Sequence, residues 1–390
     1  MSAAAETHES HEAPAPIGGR LVTPFTSVLA ALVTLMAAVL AVRVFRGIGA
    51  VTNINDGYPW GIWIAWDVVI GSALGASGFT VAFTTYILNR GQYHPIVRPA
   101  LLTALFGYVM AGISVLFDLG RWWDMWHIFM PRYAQVSSVL FEVALCITSY
   151  TVVLALELSP AVLERLGMNR VRKQLSRFLF VLIAIGVLLP TMHQSSLGSL
   201  LIVFGPQIDR LYQTEVLPVL FLSSTIGMGL AAVTIEGSVT AIALRRPLER
   251  GLLAQLMKVG QALMVFFLAV RFGDLAYRGL LPELLEVRTV TIMFWIETVC
   301  FTLPVLLLVG RHADRPRRIF AAAMLMALAG ILYRLDAFLV AYHTGEGWSY
   351  FPSMGELAVT IGLIAFEILA FIIAVRILPI LPRAPGARHG

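Results

Sequence analysis

Residues 178–204 read FLFVLIAIGVLLPTMHQSSLGSLLIVF, twenty-seven residues without an aspartate, glutamate, lysine or arginine. A helix rising 1.5 Å per residue needs about 20 such residues to cross the hydrocarbon core of a bilayer. A buried helix in a water-soluble domain is usually shorter. The segment therefore reads as a membrane span, and its single titratable side chain, His193, falls in the half nearer residue 204, between Pro190 and the small polar run Gln194-Ser195-Ser196.

The same pattern recurs along the whole chain. Apolar stretches at 26–48, 62–88, 98–117, 135–157, 178–204, 216–243, 252–271, 289–309, 317–340 and 356–378 predict an all-α integral membrane protein with about ten transmembrane helices. Apolar residues make up 58% of the 390 and charged residues 13%, where a soluble domain carries roughly a quarter charged. The net charge of +5 does not point to nucleic acid, because the basic residues sit in short connections between spans, where they report orientation. Of the 28 Lys and Arg, Arg43, Arg46, Arg121, Arg132, Arg210, Arg271, Arg278 and Arg288 fall on one side. Arg334 lies within a span, and the others fall on the opposite side, clustered at 165–177, 245–258 and 311–318 and near both termini. The excess predicts both termini in the cytoplasm of a bacterial inner membrane. Residues 1–24, rich in Ala, Glu, His and Pro, are expected to form a disordered cytoplasmic tail and not a cleaved signal. A first transmembrane half at 25–205, a second bundle with the last helix at 206–383 and a short cytoplasmic tail at 384–390 complete the division.

Phe117-Asp118-Leu119-Gly120 at the end of the third span is echoed by Phe272-Gly273-Asp274-Leu275 at the end of the seventh. Glu142 in the fourth is echoed by Glu297 in the eighth. This predicts two parallel four-helix bundles, spans 2–5 and 6–9, with flanking helices. Tryptophans crowd one set of helix ends, most densely at Trp122, Trp123 and Trp126. Their density exceeds an interfacial belt and suggests a docking surface.

Ionisable residues inside a span are functional candidates by default. Asp67, Tyr108, Glu142 (about 12 Å deep at 1.5 Å per residue), His193 and Glu236 suggest a polar pocket near the Trp-rich face with a proton route leading inward. Each could equally serve an interhelical hydrogen bond or ion pair. Glu297, Glu367 and Asp336 fit the structural role better, with Arg334 and Asp336 expected to neutralise each other. Two cysteines, Cys146 and Cys300, cannot assemble an iron–sulfur cluster, and no Cys/His set suits a metal. Of the eight histidines (8, 11, 94, 127, 193, 312, 343 and 389) only His193 is well inside a span, so no bis-histidine haem is expected.

Several longer stretches carry a family resemblance: Gly57-Tyr58-Pro59-Trp60-Gly61, Asn89-Arg90-Gly91-Gln92-Tyr93-His94-Pro95, Leu189-Pro190-Thr191-Met192-His193-Gln194-Ser195-Ser196, Phe294-Trp295-Ile296-Glu297 and Leu378-Pro379-Ile380-Leu381-Pro382. Over residues 18–383 the chain resembles the membrane subunit of hydrogenase-2-type nickel–iron (NiFe) uptake hydrogenases, within the NrfD/polysulfide-reductase membrane-subunit superfamily. The resemblance implies a haem-free subunit of a hydrogen:quinone oxidoreductase, with no catalytic metal centre of its own. Electrons would come from the NiFe hydrogenase large and small subunits through a periplasmic ferredoxin-like iron–sulfur subunit, to reduce menaquinone or ubiquinone as substrate. It also implies proton transfer through Tyr108, Glu142, His193 and Glu236. Asp67, Asp118, Arg121, Glu142 and His193 are the candidates for binding the quinone head group, Arg121 alternatively docking the cluster subunit. Asp336 and the Trp-rich 118–133 loop depart from the family pattern. A quinone subunit serving a molybdenum or multihaem oxidoreductase is the near alternative, and a secondary transporter the distant one.

Overall fold

The computed structural model describes residues 14–87, 91–243 and 248–382. Ten helices in it are long and apolar enough to cross a membrane: α1 Pro24–Arg46, α2 Ile64–Tyr86, α3 His94–Asp118, α4 Val139–Arg165, α5 Leu179–Gln207, α6 Leu217–Ala243, α7 Arg250–Tyr277, α8 Thr289–Leu307, α9 Pro316–Val340 and α10 Met354–Ile377. Without water to bond them, backbone amides in a bilayer must be satisfied within each segment, which is why the apolar runs become helices. Five connections gather at one end with the tryptophans, and the arginine-rich connections gather at the other.

Two four-helix bundles form as expected. α2, α3, α4 and α5 close one ring of neighbours and α6, α7, α8 and α9 a second, joined along a seam where α2 and α5 meet α6 and α9. α1 and α10 pair with each other outside the rings and lean on α3. The repeat extends to matching contacts. Asp118, ending α3, accepts hydrogen bonds from the Gly61 amide (2.7 Å) and Trp63 Nε1 (2.6 Å) just before α2. Asp274, near the end of α7, accepts one from Thr214 Oγ1 (2.8 Å) just before α6.

Small residues let the helices approach closely, as packing within lipid requires. A side chain built on Gly78 of α2 would lie 2.6 Å from Ala104 Cβ of α3, and one on Gly229 of α6 would lie 2.8 Å from the α2 backbone at Ala76 and Ser77. Capping boxes start the flanking pair, Thr23 with Thr26 at α1 and Ser353 with Glu356 at α10. Glu356 also accepts from the Asn53 amide (2.9 Å) and the Tyr350 hydroxyl (2.6 Å), stapling the α1–α2 connection to the α9–α10 connection. Burial and the Glu356 carboxylate push the Tyr350 hydroxyl far above its ordinary pKa, so it remains a donor. Beside it Tyr58 stacks on Tyr350 at 4.0 Å and donates to the Phe338 carbonyl (2.8 Å).

Four expectations need correction. The tail is not free through residue 24: the Ala15 amide donates to the Leu381 carbonyl (3.0 Å) and the Ile17 amide to the Val375 carbonyl (3.2 Å). The disordered part expected at 1–13, the tail at 384–390, and Arg90, Arg245 and Arg246 lie outside the described residues. α4 runs from Val139 to Arg165, not over 135–157, because Gln135 and Ser138 are taken up in a turn. Glu142 therefore stands in the first turn of α4, about 5 Å into the helix at 1.5 Å per residue and not 12 Å. Arg271 is no loop residue: α7 carries on to Tyr277 and Arg271 is buried inside it. Arg334 is not paired with Asp336 and bonds elsewhere, as described below.

The close approach of α6 to α2 makes a stability prediction. Gly229→Val should lower the thermal unfolding temperature of the detergent-solubilised chain markedly, since overpacking costs about 1–3 kcal/mol or more. Gly273→Ala, where an added Cβ meets nothing within 4 Å, should leave it unchanged.

Candidate functional site

The site builds outward from α2. Its first eight residues, Ile64–Gly71, are wound as a π-helix, a conformation found mostly as short insertions and frequently at functional positions. This segment carries the buried Asp67 and delivers Ser72 to the seam. Ser72 is fully buried and its hydroxyl donates to the Val68 carbonyl one turn back. With its proton so placed, the Ser72 oxygen is free only to accept. Gln194 Nε2 of α5 donates to it at 2.8 Å, and His193 Nε2 lies 3.1 Å away.

The direction of these bonds is set from the second bundle. Arg334 of α9 is fully buried and can only donate. Its guanidinium contacts Thr225 Oγ1 (2.5 Å), Ser224 Oγ (3.2 Å) and the carbonyls of Val69 (3.1 Å), Phe221 (3.1 Å) and Gly330 (3.2 Å). Thr225, accepting from Arg334, donates to Gln194 Oε1 at 2.8 Å. That fixes the Gln194 amide with its nitrogen toward Ser72. Ser72 in turn requires the proton of a neutral His193 to sit on Nε2. The remaining ring nitrogen, Nδ1, is buried and has no hydrogen-bond partner among the described residues. It is the atom at which His193 can accept a proton.

The other predicted residues fall into two groups. Tyr108 of α3 packs its ring 5.7 Å from His193 and 4.6 Å from Tyr150. Glu142 of α4 accepts from Ser196 Oγ at 2.8 Å, one turn along α5 from His193 and toward the Trp-rich end. Tyr108, Glu142 and His193 thus come together. Glu236 of α6 accepts from Thr103 Oγ1 of α3 at 2.7 Å, five residues from Tyr108 toward the arginine-rich end, about 7 Å at 1.5 Å per residue. Among the described residues no hydrogen bond joins Asp67, Asp118 or Arg121 to His193. Asp67 is 2% exposed with one oxygen unpartnered, Asp118 caps α2, and the Arg121 side chain is exposed on the α3–α4 connection.

Ser72, Gln194, Thr225 and Arg334 make up the part that sequence reasoning missed. Glu157 of α4 belongs with them: it is buried toward the arginine-rich end with one oxygen unpartnered. Only Arg334, a lone cation in an apolar run, carried a sequence signal that could have found the seam.

Residues 50–343 match the family model described as polysulphide reductase, NrfD. The chain belongs to this family. Over 377 residues, 96% of each chain, it is 40% identical to the "Probable Ni/Fe-hydrogenase 2 b-type cytochrome subunit" of Escherichia coli (strain K12). It is 28% identical over 374 residues, 87% of each chain, to the "Menaquinone reductase, integral membrane subunit" of Nitratidesulfovibrio vulgaris. An "Hdr-like menaquinol oxidoreductase integral membrane subunit" of Archaeoglobus fulgidus is 23% identical over 385 residues, 90% of this chain and 93% of that one. Relatives of this NrfD-family chain are thus membrane subunits of oxidoreductases.

The name of the first relative raises the question of a b-type haem. Such a haem needs two axial ligands, usually histidines on facing helices. Within this family member, among the described residues, His193 is the one histidine deep in a span, and its Nε2 is taken by Ser72. His94 stands exposed at the first residue of α3, while His127, His312 and His343 lie in connections. The donor set does not fit a bis-histidine haem.

Arg334→Met should destabilise the solubilised chain by several kcal/mol, because it strips buried carbonyls and hydroxyls of a charged donor. Thr225→Val should cost less, about 1–3 kcal/mol. Thermal unfolding of the two variants beside wild type checks both.

Proposed function

We propose that this chain is the haem-free, quinone-reactive membrane subunit of a hydrogen:quinone oxidoreductase. It would accept electrons from an iron–sulfur subunit of a periplasmic NiFe hydrogenase and pass them to menaquinone or ubiquinone. The observation that carries the reading is the free Nδ1 of His193, held beside Tyr108 by a bond chain of fixed direction, with Glu142 one turn away. Reducing a quinone to its quinol takes two electrons and two protons, one to each carbonyl oxygen. A buried imidazole and a carboxylate can deliver protons to such a centre, and positioned acid–base groups are worth about 10²–10⁴ in rate. Tyr108, Thr103 and Glu236 continue from this centre toward the arginine-rich end, and Asp67, buried with one oxygen unpartnered among the described residues, remains a further candidate for the head group. The relatives, a nickel–iron hydrogenase subunit and two menaquinone or menaquinol oxidoreductase subunits by name, support the substrate class.

The orientation that goes with this reading puts the Trp-rich end in the periplasm and both termini in the cytoplasm of the inner membrane. There the exposed Trp122, Trp123 and Trp126, with Arg121, offer a surface to the electron-donating partner. The 28% identity to a menaquinone reductase subunit favours a second reading, in which the same quinone chemistry serves a different periplasmic oxidoreductase.

Glu142→Gln and His193→Ala should each lower hydrogen-dependent quinone reduction by the assembled complex about tenfold or more. Hydrogen oxidation with a soluble dye should be retained. Equal quinone and dye rates in variant and wild type would count against the reading. The reduced-minus-oxidised spectrum of the isolated chain should contain no b-type haem band; a stoichiometric band would overturn the haem-free assignment.

A further inference from the structure

The second bundle holds an ionisable cluster that the quinone reading does not use. Arg271 of α7 is buried and ion-paired to Glu297 of α8, which is itself fully buried. Four aromatic rings enclose the guanidinium, with centroids at 4.3 Å (Phe294), 4.9 Å (Tyr212), 4.9 Å (Tyr333) and 5.8 Å (Phe267). Asp336 lies in the π-helical last turn of α9, is 3% exposed, and faces the Glu297 carboxyl. The Tyr212 hydroxyl lies beside all three. Cys300 is one turn along α8 from Glu297, and Asp274 and Arg334 are near enough to act on Tyr333.

Charge and hydrogen-bond counting give the same answer here. Two carboxylates facing one guanidinium in an aromatic cage would leave one buried negative charge without a counter-charge, which a low-dielectric site does not tolerate. If both acids were ionised, two acceptors would also confront each other. The Tyr212 hydroxyl beside both acids can donate only one proton, to one carboxyl or the other. One proton held between the two carboxyls removes both faults, since it supplies the missing donor and leaves one anion for the one cation.

We propose that Glu297 and Asp336, opposite Arg271, form a second protonation site that binds one exchangeable proton between their carboxyls. The cluster lies in the half of the bundle nearer the Trp-rich end. Tyr212 belongs to the 208–216 connection at that end, where Asp209 is held by Arg288 (2.9 Å) with His343 Nε2 at 3.9 Å. The site is separate from the His193 centre and does not rest on the quinone reading, because the charge balance holds whatever the partner complex.

Infrared difference spectroscopy of the full chain in nanodiscs, stepped in pH in H2O and in D2O, tests this without hydrogenase or quinone. Wild type should show the C=O stretch of a protonated carboxylic acid that shifts down in D2O. Glu297→Gln and Asp336→Asn should each remove the same component of that band, because the remaining acid ionises against Arg271, while any component from other buried acids such as Asp67 or Glu236 stays. Glu142→Gln should keep the component that these two variants remove. Should Glu297→Gln fail to fold, Asp336→Asn carries the test alone. An acid band left undiminished in Asp336→Asn relative to wild type, a band that does not respond to D2O, or no acid band at any pH overturns the proposal.

Discussion

The two bundles meet at a buried cation that forms no ion pair among the described residues. Arg334 satisfies its guanidinium with three backbone carbonyls and two hydroxyls drawn from α2, α6 and α9. A charge in such a place is tolerated only when its donors are well used. The requirement propagates: it fixes the orientation of Thr225, then of Gln194, then the acceptor role of Ser72, and so the proton position on His193. The helix seam and the imidazole tautomer therefore have one origin. The π-helical start of α2 is part of the same constraint, since Val69, one of the carbonyls that Arg334 needs, lies within it.

Duplicated bundles allow a comparison within one molecule. The acids ending α3 and α7 kept the same task, bonding the segment that leads into α2 and α6 respectively. The acids of α4 and α8 diverged. Glu142 is partly buried near the Trp-rich end and bonds a serine, whereas Glu297 is fully buried against an arginine in an aromatic cage. The position near the opening keeps company with neutral groups and a histidine. The enclosed one needed a cation to exist at all.

Helices were legible in the sequence because lipid leaves the backbone no other solution, and length with hydropathy is then enough. The two-bundle arrangement was legible because Asp118 and Asp274 repeat at matching span ends. Tyr108, Glu142 and His193 stood out as rare polar residues in apolar runs, and the fold does bring them together. The connecting residues were not legible. Ser72, Gln194 and Thr225 look like ordinary packing residues, and only their meeting across three helices beside Arg334 gives them a role. Arg271 was misplaced because an arginine near a span end reads as a loop charge, whereas α7 runs on to Tyr277 and Glu297 on the next helix supplies the counter-charge. Arg334 and Asp336, two apart in sequence, point to different neighbours on a helix and could not have paired as expected.

Residues 14–18 lie against residues 375–382, and α1 pairs with α10, so two spans separated by eight others in the chain depend on each other. α1 is apolar all round and shows most of its surface to lipid. It must wait in the bilayer while eight further spans are threaded before its companion arrives. Insertion of α10 is thus what seats α1, and truncation anywhere before α10 leaves α1 without a mate.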